Sequence, residues 1–131
     1  MMKTHNLFIF IVFMFLMNAC RSFVTTTLEA DLFEKTLDQT PNPQLVDVRT
    51  PAEYAEGYLP GAILINFREA TFESLIQQLD RSRPVFVYCR SGKRSLDAAS
   101  VLEKNKFKAV YNLEGGIIAW KDKGKAVVIS D

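Results

Sequence analysis

The sequence predicts one α/β domain with a mostly parallel central sheet and helices on both faces. The first observation behind this prediction is that strand-like apolar runs alternate with helix-like segments from Thr25 to Trp120, a pattern typical of parallel strand pairing. The second is that the run 62–66 has the unbroken apolar character of a strand covered on both sides. The third is the length, because 131 residues with 48% hydrophobic side chains suffice for one core and are too few for two domains and an export signal.

Side-chain spacing and turn chemistry predict the individual elements. Leucines and a phenylalanine at helical spacing predict an opening helix over 25–40, which Pro41 ends. Thr50 and Pro51 begin a short helix as its N-cap and first helical residue. The other predicted elements are strands at 45–49, 62–66, 85–88 and 108–113, helices at 71–79 and 95–104, and a short helix after Gly116, while 126–129 could add an edge strand.

The first twenty residues differ in composition from the rest of the chain. Lys3 precedes an apolar run of eleven residues from Leu7 to Met17, and Ala19 stands directly before Cys20. This is the layout of a secretory signal, and eleven residues are fewer than the roughly 20 that a membrane-spanning helix needs. The end of the segment resembles the lipobox of bacterial lipoproteins.

We therefore expect residues 1–20 to be a signal peptide of lipoprotein type and residues 21–131 to form the domain. Cys20 would carry the lipid, and the protein would be exported, tethered to a membrane and facing the periplasm. Plain secretion and a short uncleaved anchor stay open as alternatives. A buried N-terminal helix is disfavoured, because a helix that is apolar on every face needs a core all around it.

Cys89 is the second of only two cysteines, and lipidation of Cys20 would leave it without an intramolecular partner. In an oxidising compartment paired cysteines tend to become structural disulfides, whereas a single thiol stays available for chemistry. An inert, buried cysteine is the alternative. The surroundings favour chemistry, because the apolar run 84–88 leads directly into a basic loop that contains glycine, 89–94.

This loop favours the thiolate form of Cys89, which makes Cys89 the candidate nucleophile. A helix predicted to begin at Ser95 turns its positive end toward the thiol, loop amides can converge on an anion, and basic side chains add charge. Ser95 is also a good helix N-cap, and the basic side chains could instead be solvated. The candidate anion-binding residues are Arg90, Ser91, Gly92, Lys93, Arg94 and Ser95.

Asp47 and Arg49 are the candidate structural support of the loop. They stand at the end of a predicted strand, where an acid within reach of the loop can hold a basic partner in place. We interpret the two residues as a structural pair and not as catalytic groups.

Composition excludes several classes of function. The only histidine, His5, falls in the predicted signal peptide, so the domain has no imidazole for a hydrolase triad or for the usual zinc sites. We expect neither a metal nor a cofactor. With Lys3 set aside, 15 basic side chains face 15 acidic ones, a balance that gives no support to nucleic-acid binding.

Four patches of sequence occur in an order that carries a family resemblance. They are Val46–Arg49 with Glu53 and Tyr54, Gly57–Ala62, Tyr88–Ser95, and Leu113–Gly116 with Trp120. Together they resemble the rhodanese-like sulfurtransferases over about Thr25 to Trp120.

The resemblance implies a single-domain fold and transfer of sulfane sulfur. Cys89 would take sulfur from thiosulfate or a similar small anionic donor, rest as a persulfide, and pass the sulfur to cyanide, a thiol or a protein acceptor. One departure is Tyr58, since the family often has histidine at that position.

Two other functions stay open. A persulfide carrier or a partner-docking module of the same fold would show negligible turnover on small donors. A phosphatase is disfavoured, because the related phosphatases place five residues between cysteine and arginine, whereas four separate Cys89 from Arg94. The family resemblance thus implies that the smaller ring suits sulfur better than phosphate.

Overall fold

The computed structural model describes residues 24–130, over which strands and helices alternate. The predicted signal peptide, residues 1–20 with Cys20, lies outside the described residues. The elements are β1 (Thr25–Leu28), α1 (Ala30–Gln39), β2 (Gln44–Asp47), α2 (Pro51–Ala55), β3 (Ile63–Leu64), α3 (Phe72–Ile76), β4 (Val85–Tyr88), α4 (Lys93–Lys104), β5 (Val110–Leu113) and α5 (Gly116–Asp122).

The five strands form one sheet in the order β1-β5-β4-β2-β3, and every neighbouring pair is parallel. The register places Val87 of β4 beside Asn112 of β5 and Val46 of β2. The predicted fold class is thereby confirmed. Because the strands all run in one direction, the loops that follow them meet at the carboxyl edge of the sheet, where ligands bind in this architecture.

The central strand β4 contributes side chains to two hydrophobic cores, one on each face of the sheet. Val85 and Val87 pack with α3 and α4 on one face, whereas Phe86 and Tyr88 pack with α1 and α5 on the other. All four side chains are fully buried, and burial of each apolar side chain of this size stabilises the fold by about 1.5–3 kcal/mol. The position of the next residue, Cys89, is therefore fixed from both faces of the sheet.

The predicted opening helix over 25–40 is wrong in its first part. Thr25–Leu28 is strand β1, paired with β5, and its three β-branched threonines fit a strand better than a helix. Glu29 then caps α1, because its carboxylate accepts hydrogen bonds from the amides of Asp31 and Leu32. The helix consequently begins at Ala30.

The prediction of a strand covered on both faces at 62–66 is also wrong. Strand β3 comprises only Ile63 and Leu64 and lies at the edge of the sheet. Ile63 is 49% exposed, so an unbroken apolar run does not here mean burial on both sides.

Two further boundaries differ from the prediction. Helix α4 begins at Lys93 and not at Ser95, and Gly92 is its N-cap with φ of 100°. The segment 126–129 forms no strand, because its contact is a single antiparallel bridge from Val128 to Tyr58. Within residues 24–130, no helix is long and apolar enough to cross a membrane.

Candidate active site

Cys89 directly follows β4 at the carboxyl edge of the sheet, and its sulfur is held by the loop that leads into α4. The Gly92 amide donates a hydrogen bond to Cys89 Sγ at 3.1 Å, and the Ser95 hydroxyl lies within donating distance of the same sulfur at 3.4 Å. Gly92 has φ of 100°, a left-handed conformation that glycine adopts at little cost. This turn aims the amides of the loop at the sulfur.

These donors lower the pKa of Cys89. Burial raises the pKa of the thiol, but hydrogen bonds from the Ser95 side chain and from the amides of Ser95, Gly92 and Ser91 lower it by more, so the pKa lies below its ordinary value. Hydrogen bonds to the charged form favour that form. The predicted thiolate therefore rests on oriented donors of the loop more than on its cationic side chains.

The structure does not place Ser95 at the helix N-cap that the sequence suggested. It lies in the first turn of α4, fully buried, and is not the N-cap. Its hydroxyl faces two acceptors, Cys89 Sγ and the Gly92 carbonyl oxygen, the latter at 3.1 Å. A hydroxyl has one proton, so while Ser95 donates to the Gly92 carbonyl oxygen it cannot donate to the sulfur.

The thiol is activated and enclosed at the same time. Cys89 is free, and only 1% of the residue is exposed, whereas Arg90, Ser91 and Lys93 around it are exposed. An inert core cysteine would be equally buried, but it would lack polar donors on its sulfur. In this conformation a reagent therefore has almost no access to Sγ.

Arg94 is engaged by an acid that sequence reasoning missed. Its guanidinium donates to the carboxylate of Glu53 at 2.8 and 2.7 Å. Thr50 and Glu53 form a capping box at the start of α2, which fixes the acid in place. The Arg94 guanidinium, together with hydrogen bonds from Thr50, lowers the pKa of Glu53 to about 2. The capping box was readable from the sequence, because Glu53 stands three residues after Thr50, but its pairing with the distant Arg94 was not.

Asp47 and Arg49 form an ion pair at 2.7 Å in which both side chains are buried. Arg49 also donates to the Gly57 carbonyl oxygen. The Tyr88 hydroxyl donates to Asp47 at 2.6 Å and accepts from the Leu59 amide at 3.0 Å. The pair thus holds the residue immediately before Cys89, a contact for which the sequence offered no signal.

Helix α5 closes the site from the other side. The amides of Ile117 and Ile118 donate to the carbonyl oxygens of Cys89 and Arg90, at 2.9 and 3.2 Å. Gly116 makes this approach feasible, because a Cβ at this residue would lie 2.4 Å from the Arg90 carbonyl oxygen. Gly116 thereby lets α5 orient the backbone of the cysteine loop.

No group of three or more His, Cys, Asp or Glu side chains suited to a metal ion occurs in the part of the chain that the structure describes. The residues brought together around Cys89 are hydrogen-bond donors and cations. Such a site can stabilise an anion on sulfur and bind a small anionic molecule.

Comparisons with known proteins agree with this geometry. The sequence model of the family described as "Rhodanese-like domain" matches residues 29–123. A protein of Allochromatium vinosum named "Sulfurtransferase" is 36% identical over 101 residues, which are 77% of this chain and 92% of that protein.

Two solved structures have a similar fold. A rhodanese-like domain protein from Staphylococcus aureus superposes with a TM-score of 0.69 at 33% identity, over 81% of this chain and 99% of its own. A polysulfide-sulfur transferase homodimer from Wolinella succinogenes gives a TM-score of 0.68 at 28% identity, over 82% of this chain and 80% of its own.

We predict that Ser95→Ala raises the pKa of Cys89. Loss of a hydrogen bond of about 1 kcal/mol to the thiolate corresponds to about a fivefold fall in its reactivity at neutral pH. The rate of alkylation by iodoacetamide, followed against pH, measures both quantities. Ser91→Ala is the matched control, because the Ser91 side chain is exposed and only its amide acts on the sulfur. Equal pH profiles for both variants would contradict the assignment.

We predict that Glu53→Gln destabilises the protein by about 1 kcal/mol at neutral pH, as expected for a partly exposed ion pair. The pKa of Glu53 falls from 4.5 to about 2 in the folded protein, chiefly through its hydrogen bonds with Arg94 and further through those with Thr50. The stabilisation is therefore complete above about pH 4.5 and is lost as the pH falls toward 2. Urea unfolding at several pH values measures the difference between the two proteins.

For this Glu53 experiment, Glu56→Gln is the control, since Glu56 is exposed at the end of the same helix. A difference between wild type and Glu53→Gln that stays constant down to pH 2 would show that the ion pair is not its source.

We predict that Gly116→Ala destabilises the protein more than Gly124→Ala does. Both glycines have positive φ, 59° and 70°, but only at Gly116 would the new Cβ meet backbone atoms, those of Cys89 and Arg90. The strain of the left-handed backbone costs about 1–3 kcal/mol in either variant, and the clash adds to it at Gly116 alone. Thermal unfolding of both variants tests this, and equal losses would argue against the close contact.

Proposed function

Because this chain belongs to the family of rhodanese-like domains, we propose that it is a sulfurtransferase that carries sulfane sulfur on Cys89. In the first half-reaction the Cys89 thiolate attacks the outer sulfur of thiosulfate. The sulfur–sulfur bond of thiosulfate breaks, sulfite leaves with its electron pair, and Cys89 becomes a persulfide anion. In the second half-reaction cyanide or a thiolate attacks the outer sulfur, which leaves as thiocyanate or a new persulfide and restores the Cys89 thiolate.

The observation that carries this proposal is the set of donors on Cys89 Sγ, from the Gly92 amide and the Ser95 hydroxyl. Both the resting thiolate and the persulfide are anions, so each needs donors and neither needs a proton acceptor such as histidine. The exposed side chains of Arg90 and Lys93 flank the loop and would attract an anionic donor.

Relatives support the reaction class and suggest donors. The Allochromatium relative is named a sulfurtransferase, and the Wolinella structure is named a polysulfide-sulfur transferase. Polysulfide and thiosulfate are both anions with a terminal sulfane sulfur, so the same loop suits either. We do not expect phosphatase activity. Only four residues separate Cys89 from Arg94, and the Arg94 guanidinium is already paired with the Glu53 carboxylate.

A second candidate, a persulfide carrier or a partner-docking domain, is favoured by the burial of Cys89, of which 1% is exposed. A sulfur enclosed in this way would turn over small donors slowly, while a specific protein partner could open the loop.

We further propose that Cys20 carries a lipid and tethers the protein to the exported side of a membrane. The support is the sequence before Arg21, with its apolar run and Ala19 next to Cys20. Mass analysis of the protein recovered from membranes tests it, and an N-terminus that retains residues 1–19 would overturn it.

We predict that thiosulfate adds the mass of one sulfur atom to the protein and that cyanide then removes it as thiocyanate. Cys89→Ser should lose both signals, because serine has no sulfur with which to form the bond. Cys20→Ser is the matched control and should keep both. Intact-mass spectrometry and a thiocyanate assay give the two readouts.

The two readouts separate the candidates. A mass gain without thiocyanate identifies a carrier, and no mass gain identifies a docking domain. Full thiocyanate production by Cys89→Ser would remove Cys89 from the mechanism.

A further inference from the structure

The amino edge of the sheet carries a cluster of basic side chains that the sulfur chemistry does not use. They lie before β4, before β5 and at the end of α4, on the side of the sheet opposite Cys89. We call this cluster the basic edge, and its members are Arg81, Arg83, Lys104, Lys106 and Lys108.

Backbone contacts bring the loops of the basic edge together. Arg81 Nε donates to the Asn105 carbonyl oxygen at 2.7 Å, and the Lys108 amide donates to the Arg81 carbonyl oxygen at 3.1 Å. Arg83 donates to the Asn42 carbonyl oxygen at 3.0 and 2.6 Å, next to the start of β2. The loops that carry these cations therefore adjoin one another at the amino ends of β2, β4 and β5.

The positive charge of the basic edge is not cancelled locally. None of its five members forms an ion pair with another side chain of residues 24–130. Two acids lie among them: Asp80, which accepts from Ser82, and Glu103, which accepts from the amide and hydroxyl of Thr25. Five cations thus face two acids, although basic and acidic side chains number 16 and 15 in the whole chain.

Helix stability does not explain the whole cluster. Lys104, in the last turn of α4, complements the helix dipole, but Arg81, Arg83 and Lys108 lie outside that helix. Lys106 has φ of 68°, the left-handed conformation that glycine or asparagine would adopt at lower cost after a helix. The chain keeps an exposed cation at a position where the backbone favours other residues.

The chain enters the domain at this same edge. Thr25, the first residue of β1, is bound to Glu103 near the end of α4. The residues upstream, with the apolar run 7–17 and Cys20, therefore join the domain beside the basic edge. Four residues lie between Cys20 and Thr25, and the five residue steps span at most about 17 Å, so a lipid on Cys20 would hold this edge close to the bilayer.

We propose that the basic edge lies against the anionic headgroups of a lipid bilayer. Lysine and arginine near an anionic membrane surface are attracted to it within a Debye length. The attraction can be weak and still orient the domain, because a tether raises the effective concentration of the surface. The charge comes from described residues, whereas the direction of approach rests on the tether proposed above. In this orientation the Cys89 loop, at the opposite edge, faces the aqueous phase and its sulfur acceptors.

The experiment uses residues 24–131, so that the surface is measured without the tether. Both cores close within residues 24–130, and the Staphylococcus aureus structure aligns over 99% of its own length, so this part is a complete domain. The protein is sedimented at low ionic strength with vesicles of phosphatidylcholine mixed with phosphatidylglycerol, and with vesicles of phosphatidylcholine alone. We expect binding only to the mixed vesicles, weakened by added salt.

Two matched triple variants locate the binding surface. K104Q/K106Q/K108Q should lower partitioning onto the mixed vesicles at least about tenfold. K35Q/K121Q/K123Q removes three exposed lysines outside the basic edge and should leave partitioning unchanged.

No preference for phosphatidylglycerol, or an equal loss in both variants, would overturn the proposal. Equal binding of duplex DNA at the same salt concentration would overturn the choice of a bilayer. Thiosulfate labelling of Cys89 is measured on the same proteins, so that the sulfur chemistry is tested separately. A protein that binds the vesicles but is not labelled would count against sulfur transfer and not against the basic edge.

Discussion

The hydrogen bonds that converge on Cys89 Sγ are the interaction on which the rest of the site depends. They exist only because Gly92 turns the chain into a left-handed conformation, which places its own amide 3.1 Å from the sulfur and starts α4 there. The surrounding elements hold that turn in place. Helix α5 binds the carbonyl oxygens of Cys89 and Arg90, and Asp47 holds Tyr88 beneath the loop. A substitution that alters one of these contacts therefore acts on the sulfur through the backbone of Cys89 and its neighbours.

Oriented donors differ from mobile cations in their physical behaviour. A long basic side chain at the surface is screened by salt and loses entropy when it is held in one place. A buried amide or hydroxyl is screened little and is ordered with the fold. Glu53 also offsets the charge of Arg94 close to the loop. The lowered pKa of Cys89 therefore depends chiefly on the folded loop, and we expect this pKa to vary little with ionic strength.

The sequence was sufficient for features that local pattern determines. The alternation of elements, the central strand 85–88 and the position of Cys89 after it all follow from apolar runs and turn residues. Strand β1 was missed because three threonines precede a truly amphipathic helix, whose apolar spacing extends back to Leu28. The pairs Glu53–Arg94 and Asp47–Tyr88 each join residues 41 positions apart. Such contacts depend on how the strands are ordered, which side-chain spacing does not reveal.

Activation and access oppose each other at Cys89. The donors that lower its pKa also cover it, leaving 1% of the residue exposed. In the proposed persulfide the outer sulfur stands one sulfur–sulfur bond, about 2 Å, beyond Sγ. We expect the donor to be small and anionic, since it must enter this enclosure, whereas the acceptor can be larger, including a thiol on another protein.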